Sequence, residues 1–192
     1  MSGPQTAYAQ EFGKHVAEQG PEMLDAKLWS NPCPFTFRVN YLALLYNTPL
    51  YSWIHDTFGL KRPEYVVIYS LALADGSSAR DISHTSGFPK NTLSRAINRL
   101  ELTGLIEARS KAPGGGRKQT LYLSEKGWAL FHKTRPAFEA QEKRMLKVLS
   151  DGERQMLSEL MSKVVLGAQD WAGELPPEAL PESRPAKKGE SQ

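Results

Sequence analysis

The sequence predicts a mainly α-helical fold carrying one small β-hairpin. Three observations predict it. Apolar residues recur at helical spacing, most plainly in Met156, Leu157, Leu160, Met161, Val164 and Val165, which line one stripe of a helix. Proline and glycine punctuate the chain where helices start and stop, as at Pro63, Gly87 and Gly104. Only two runs, LIEARS and QTLYLS, read as strands, and they flank a glycine-rich turn at Gly114, Gly115 and Gly116.

The elements follow in order. Residues 1–34 read as an N-terminal extension, with Phe12 and Val16 on one side of a short helix and EMLDAKLW as another. The segment SNPCP then breaks the chain, because two prolines flank Cys33. From Phe35 to Leu60, Val39, Leu42, Leu45, Tyr46, Leu50, Trp53 and Ile54 fall near helical spacing. Pro49 inside this run removes an amide donor and is expected to kink it, and Gly59 is the expected stop. Pro63 opens a second helix that ends near Asp75 and Gly76. Ser77 or Ser78 caps a third, which stops at Gly87. A fourth spans about Lys90 to Gly104, before the two strands. SEKG then caps a long helix from Glu125 to about Leu149, with Trp128, Phe131, Phe138 and Met145 apolar. Ser150 to Glu153 opens the last helix, and the Pro-, Glu- and Lys-rich tail 173–192 is expected to be disordered.

Composition narrows the function classes. The formal net charge is only +3, but between Asp75 and Gly127 nine Lys and Arg stand against five Asp and Glu. A local basic excess of that kind is the footprint of a polyanion binder. The single cysteine excludes an internal disulfide and any metal site built on several cysteines, which suits a reducing compartment. No basic-then-apolar leader pattern and no apolar run of membrane-spanning length are found, so a cytoplasmic chain without a membrane partner is expected. The four histidines are scattered, and no HExxH, phosphate-binding glycine loop or nucleophile elbow occurs. No enzyme activity, cofactor or metal is therefore expected.

On a helical wheel of residues 90–103, Leu93, Ala96, Ile97 and Leu100 form the buried side. Opposite lie Asn91, Arg95 and Asn98, with Ser94 and Arg99 at the edges. Arginine and asparagine read guanine and adenine edges in the major groove through paired hydrogen bonds. Thr92 and Ser94, with Lys90 beside them, stand near the helix start, where hydroxyls and free amides hold phosphate. The short helix before the Gly87 turn completes a helix-turn-helix. Arg117 and Lys118 sit near the tip of the hairpin, and an arginine on such a wing reaches an adjacent minor groove over A·T-rich stretches. Double-stranded DNA is the partner this pattern implies. Each feature alone also fits a solvated helix face or turn, and winged helices also serve as protein-interaction modules.

Residues 35–165 resemble the MarR family of winged-helix transcription regulators. The resemblance is carried by SARDISHTSGFPKNTLSRAINRLELTGLIEARSKAPGGGRKQTLYLSEKG. It implies a winged helix-turn-helix plus N- and C-terminal dimerisation helices, in a homodimer on a palindromic operator. On this basis residues 35–172 form one domain, with the winged helix at about 63–123 and dimerisation helices at about 35–60 and 125–172. Arg109 joins the DNA-contacting residues by the resemblance. One departure is visible: family members carry an aspartate in the wing that braces this arginine, and KAPGGGRKQ has no acidic residue. The apolar stripe of the last helix also favours pairing of two chains, with packing inside one chain as the alternative. Two-fold symmetry then places half-sites on the order of 10 bp apart.

The resemblance further implies a ligand-responsive repressor released by a small aromatic or phenolic effector. A pocket between the first, second and long helices is expected to be lined by Tyr41, Tyr46, Trp53, His55 and Tyr69, unless these are core aromatics with satisfied polar tips. Some relatives, the organic-hydroperoxide regulators, sense oxidants with one cysteine near the start of this helix. Cys33 is the candidate here, about a turn upstream of that place, with a buried or incidental thiol as the alternative.

Overall fold

The computed structural model describes residues 21–110, 119–173 and 175. The expectations for residues 1–20, for Arg117 and Lys118 at the wing tip, and for nearly all of the tail lie outside the described residues. The chain divides into two compact units, Met1–Met145 and Leu146–Gln192.

In the first unit, α1 (Pro21–Asp25) runs on as a π-helical turn, Ala26–Ser30. Helix α2 (Pro34–Phe58) opens on a proline and runs through Pro49 without ending there. It stops at Gly59, whose φ of 66° lets its amide turn back to the His55 carbonyl at 2.8 Å. Helix α3 (Arg62–Leu73) begins where the Glu64 side chain accepts the Lys61 amide at 2.8 Å. Helix α4 (Ala79–Ser86) is capped by Ser78, which exchanges hydrogen bonds with Asp81. Gly87, at φ 70°, ends it. Helix α5 (Lys90–Leu102) follows, then β1 (Ile106–Ser110) and β2 (Gln119–Leu123). The strands pair antiparallel from Ile106 opposite Leu123 to Ser110 opposite Gln119. The far side of β2 is tied down too. Gly76 donates to the Leu121 carbonyl, Leu121 donates to that of Ser77, and the Leu123 amide donates to the Asp75 carboxylate.

Helix α6 (Glu125–Met145) shows why SEKG reads as a start. Ser124 accepts the Gly127 amide at 3.1 Å and donates to the Gly104 carbonyl at 2.7 Å. This draws the first turn against the backbone after α5. A Cβ on Gly127 would overlap the Leu105 carbonyl oxygen, so the position needs glycine. The helix ends four residues before the expected Leu149.

The core of this unit is gathered around α3. Tyr65 is fully buried, stacks on Phe138 of α6 at 5.0 Å between centroids, and shares a 2.6 Å hydrogen bond with Thr134. Thr134 itself donates to the carbonyls of Leu130 and Phe131, which leaves the phenol to donate. Ile54, Val67, Ile68, Leu71, Ile82, Leu93 and Leu100 complete the buried cluster.

The second unit holds a 3-10 turn (Leu146–Val148), α7 (Asp151–Leu166) and a further 3-10 turn (Gly167–Asp170). Ser150 and Glu153 cap α7 reciprocally, at 2.7 Å from the Ser150 amide to the carboxylate. The expected apolar stripe is present and exposed: Met156, Leu157, Leu160, Val164 and Val165 keep between 41% and 66% of their surface open.

Burial pushes the phenols of Tyr46 and Tyr65 up to about 12, with Glu142 adding to the effect at Tyr46. The fold therefore favours the neutral phenols more than the unfolded chain does. Stability is level below the ordinary value of 10.0 and is lost as pH rises from there toward about 12. Urea unfolding across that interval should show the decline, and Tyr65→Phe should make it shallower.

Candidate nucleic-acid interface

Helices α4 and α5 with the Gly87–Pro89 turn form the helix-turn-helix. Leu93, Ala96, Ile97 and Leu100 are buried, as their spacing predicts. Lys90, Asn91, Ser94, Arg95 and Asn98 are exposed on the outer side. Thr92 is half-buried beside Arg95, Ala96, Lys61 and Pro63 in a small groove. Ser94 turns its hydroxyl back to the Lys90 carbonyl at 2.9 Å. No side chain caps α5, whose N-cap is Pro89; the Thr92 amide donates to the Pro89 carbonyl at 3.0 Å, and the Lys90 and Asn91 amides are left for an outside acceptor. Arg95 has no ion-pair or hydrogen-bond partner among the described residues, so its guanidinium is available to one.

Arg99, also exposed, differs from Arg95 in having partners within the chain. Its Nε lies 3.3 Å from the Glu64 carboxylate, and its Nη2 donates to the Gly59 carbonyl at 3.4 Å. Glu64 is 4% exposed. A carboxylate that deep needs a cation, and Arg99 supplies it from the edge of the wheel. A wheel of one helix shows the edge position but not what faces it.

At the hairpin, Arg109 is held without a wing aspartate. Its Nη2 lies 3.0 Å from the Glu107 carboxylate, and its guanidinium stands 4.4 Å from the centre of the Tyr122 ring. Glu107 and Tyr122 are themselves paired across the two strands. The brace therefore comes from the strands.

The expected effector pocket is not assembled as one cavity. Tyr46 donates to the Phe138 carbonyl at 3.2 Å, Tyr69 packs on Phe131 and Phe138, and Trp53 sits edge-on to Phe58. Tyr41 stacks on Phe37 and lines a small groove of about 280 Å³ with Met23, Lys27 and Leu44. Of the five, only His55 lines the larger groove of about 740 Å³. That groove is formed by Asn40, Ala43, Leu44, Asn47, Thr48, Tyr51, Ser52 and His55 of α2, with Lys61 and Arg62 at the start of α3. Residues 40, 44, 47, 51 and 55 return to one side of α2 at three- or four-residue intervals. Tyr46, Leu50, Trp53 and Ile54 face the other way, into the core or its edge. Asn40, Asn47, Tyr51 and His55 at that spacing were the signal available in the sequence, and aromatic content alone pointed to the core face instead.

Burial raises the Tyr51 phenol pKa, and the neighbouring Arg62 opposes that rise. His55 Nδ1 lies 3.2 Å from the Asp56 carboxylate. Cys33 is exposed, which removes burial as an account of it, and its amide donates to the Asn31 side chain at 2.8 Å. Among the described residues no group of three or more His, Cys, Asp or Glu is placed to hold a metal, and no helix is long and apolar enough to cross a membrane.

The two arginines of α5 should separate in unfolding experiments. Arg99→Ala leaves the Glu64 carboxylate buried without its cation and should cost about 1–3 kcal/mol. Arg95→Ala should leave the urea midpoint where it is. Equal midpoints for the two variants would contradict the assignment of Arg99 as an internal tie.

Residues 58–118 match the model of the MarR family. The transcriptional regulator HosA of Escherichia coli O111:H- is 23% identical over 124 residues, 65% of this chain and 91% of that protein. Two solved structures share the fold. One is a MarR-family transcriptional regulator of Listeria monocytogenes complexed with a 26mer DNA, at 20% identity and a TM-score of 0.59, covering 71% of this chain and 87% of that one. The other is the MarR-family protein Rv2887 of Mycobacterium tuberculosis in complex with salicylic acid, at 17% identity and a TM-score of 0.57, covering 70% of this chain and 98% of that one. The family-model match spans the helix-turn-helix and the first strand of the hairpin, and the solved structures share the winged-helix fold.

Proposed function

We propose that this chain is a sequence-specific DNA-binding transcription regulator, a ligand-responsive repressor that grips a palindromic operator as a homodimer. The observation that carries the reading is the outer side of α5. Asn91, Arg95 and Asn98 are exposed together on the second helix of a helix-turn-helix, while Arg99, also exposed, is paired with Glu64. Those side chains match the purine edges of the major groove, and the uncapped start of α5 suits a phosphate. The DNA-bound Listeria relative supports the same use of the fold.

Two further features support the finer parts of the proposal. The apolar stripe of α7 is exposed in the single chain, and a second copy would bury it under two-fold symmetry. The groove along α2 is of a size suited to a small ligand; Lys61 and Arg62 line it, and Arg62 stands over the Tyr51 ring. Cations next to an aromatic surface suit a small aromatic acid. The salicylic acid held by the Mycobacterium tuberculosis relative is of that class.

Arg95→Ala should weaken binding to the preferred DNA by about 1–3 kcal/mol and relax base choice at one position of each half-site. Fluorescence anisotropy at near-physiological salt, with specific and scrambled duplexes, measures both effects. An Arg95→Ala protein that binds and discriminates like the wild type would remove α5 from the role of reader.

A further inference from the structure

Arg62 stands in two neighbourhoods at once. It is the first residue of α3 and lines the groove along α2. Its guanidinium lies 5.0 Å from the centre of the Tyr51 ring, which belongs to the groove, and 5.9 Å from that of Phe88. Phe88 is the middle residue of the turn between α4 and α5. That turn is pinned on the α4 side. Ser83 donates to the Phe88 carbonyl at 3.0 Å, and the Phe88 amide donates to Ser86 Oγ at 3.4 Å. The next residue, Pro89, is the N-cap of α5. A change in what holds the Phe88 ring is therefore felt one residue before the N-cap of the helix that carries Asn91 and Arg95.

The forces on Arg62 are unequal. Among the described residues it has no carboxylate partner, and it is held by two ring faces and by its attraction to the Tyr51 phenol oxygen. Attraction to an aromatic face is weaker than a paired, charge-assisted hydrogen bond to a carboxylate. An aromatic acid entering the groove offers that stronger partner next to Tyr51. We propose that Arg62 is the positioning residue that couples the groove to the reading helix. A carboxylate seated beside Tyr51 draws the guanidinium away from Phe88, and the turn into α5 loses one of its supports. This rests on the groove being the effector site, as proposed above.

Sodium salicylate serves as the probe, on the full chain labelled with ¹³C in its Phe and Tyr rings. The Phe88 and Tyr51 signals are assigned from Phe88→Leu and Tyr51→Phe. In the wild type, salicylate should shift both rings and weaken binding to the preferred duplex by at least about fivefold. In Arg62→Lys, which keeps the charge but loses the planar fork, and in Arg62→Gln, salicylate at saturation of the Tyr51 response should leave Phe88 unmoved and DNA binding unweakened. A Phe88 shift of wild-type size in both variants would overturn the coupling. So would a saturated Tyr51 response in the wild type with Phe88 still. If salicylate moves neither ring of the wild type, the groove does not take an aromatic carboxylate and the coupling falls with it. The DNA reading is judged separately, by Arg95→Ala.

Discussion

A carboxylate removed from water must find a partner for each oxygen, and Glu64 sets that requirement at the centre of this protein. One oxygen accepts the Lys61 amide and closes the start of α3. The other faces Arg99 of α5. Because Arg99 also reaches the Gly59 carbonyl, the end of α2, the start of α3 and the third turn of α5 are tied through two side chains. The pose of α5 is thus set from inside the unit. Arg95, one helical turn earlier, has no such partner among the described residues, which is why it is the arginine proposed as a reader. The two arginines look alike in composition and differ in what holds them.

The hairpin follows the same logic with a different chemistry. Arg109 is held by a carboxylate and a ring that belong to one cross-strand pair, Glu107 and Tyr122. Both partners are exposed or half-exposed, so the brace is a surface arrangement and contributes little to stability. Its consequence is geometric, because it fixes the direction of the arginine on β1. The other side of the hairpin is secured by the Gly76 amide donating to Leu121, by the Leu121 amide donating to the Ser77 carbonyl, and by Ser124. Strand β2, the turn before α4 and the start of α6 are therefore hydrogen-bonded to the helix-turn-helix unit.

Much of this was legible in the chain. Ser78 and Ser150 each precede an acidic residue by three, and both form reciprocal caps. Gly59 and Gly87 stop helices because they adopt positive φ, which their lack of a side chain permits. The buried side of α5 followed from its spacing, and so did the hairpin. What was hidden depends on contacts between elements. The inward role of Arg99 needs Glu64, 35 positions earlier, and nothing in the spacing of either helix announces the pair. The aromatics of α2 were drawn into one pocket on chemistry alone, whereas the helix turns Tyr46 and Trp53 away from the groove and Tyr51 and His55 toward it. The exposure of Cys33 follows from its place at the loose junction before α2, a property of packing and not of its neighbours in sequence.

The central claim is that two copies of α5 read DNA across a two-fold axis. Selection of bound duplexes from a random-sequence pool by the purified full-length protein, at near-physiological salt, tests it most directly. The account predicts an enriched inverted repeat whose half-sites lie on the order of 10 bp apart centre to centre. A pool that stays random after repeated rounds, or an enriched motif without two-fold symmetry, would contradict it.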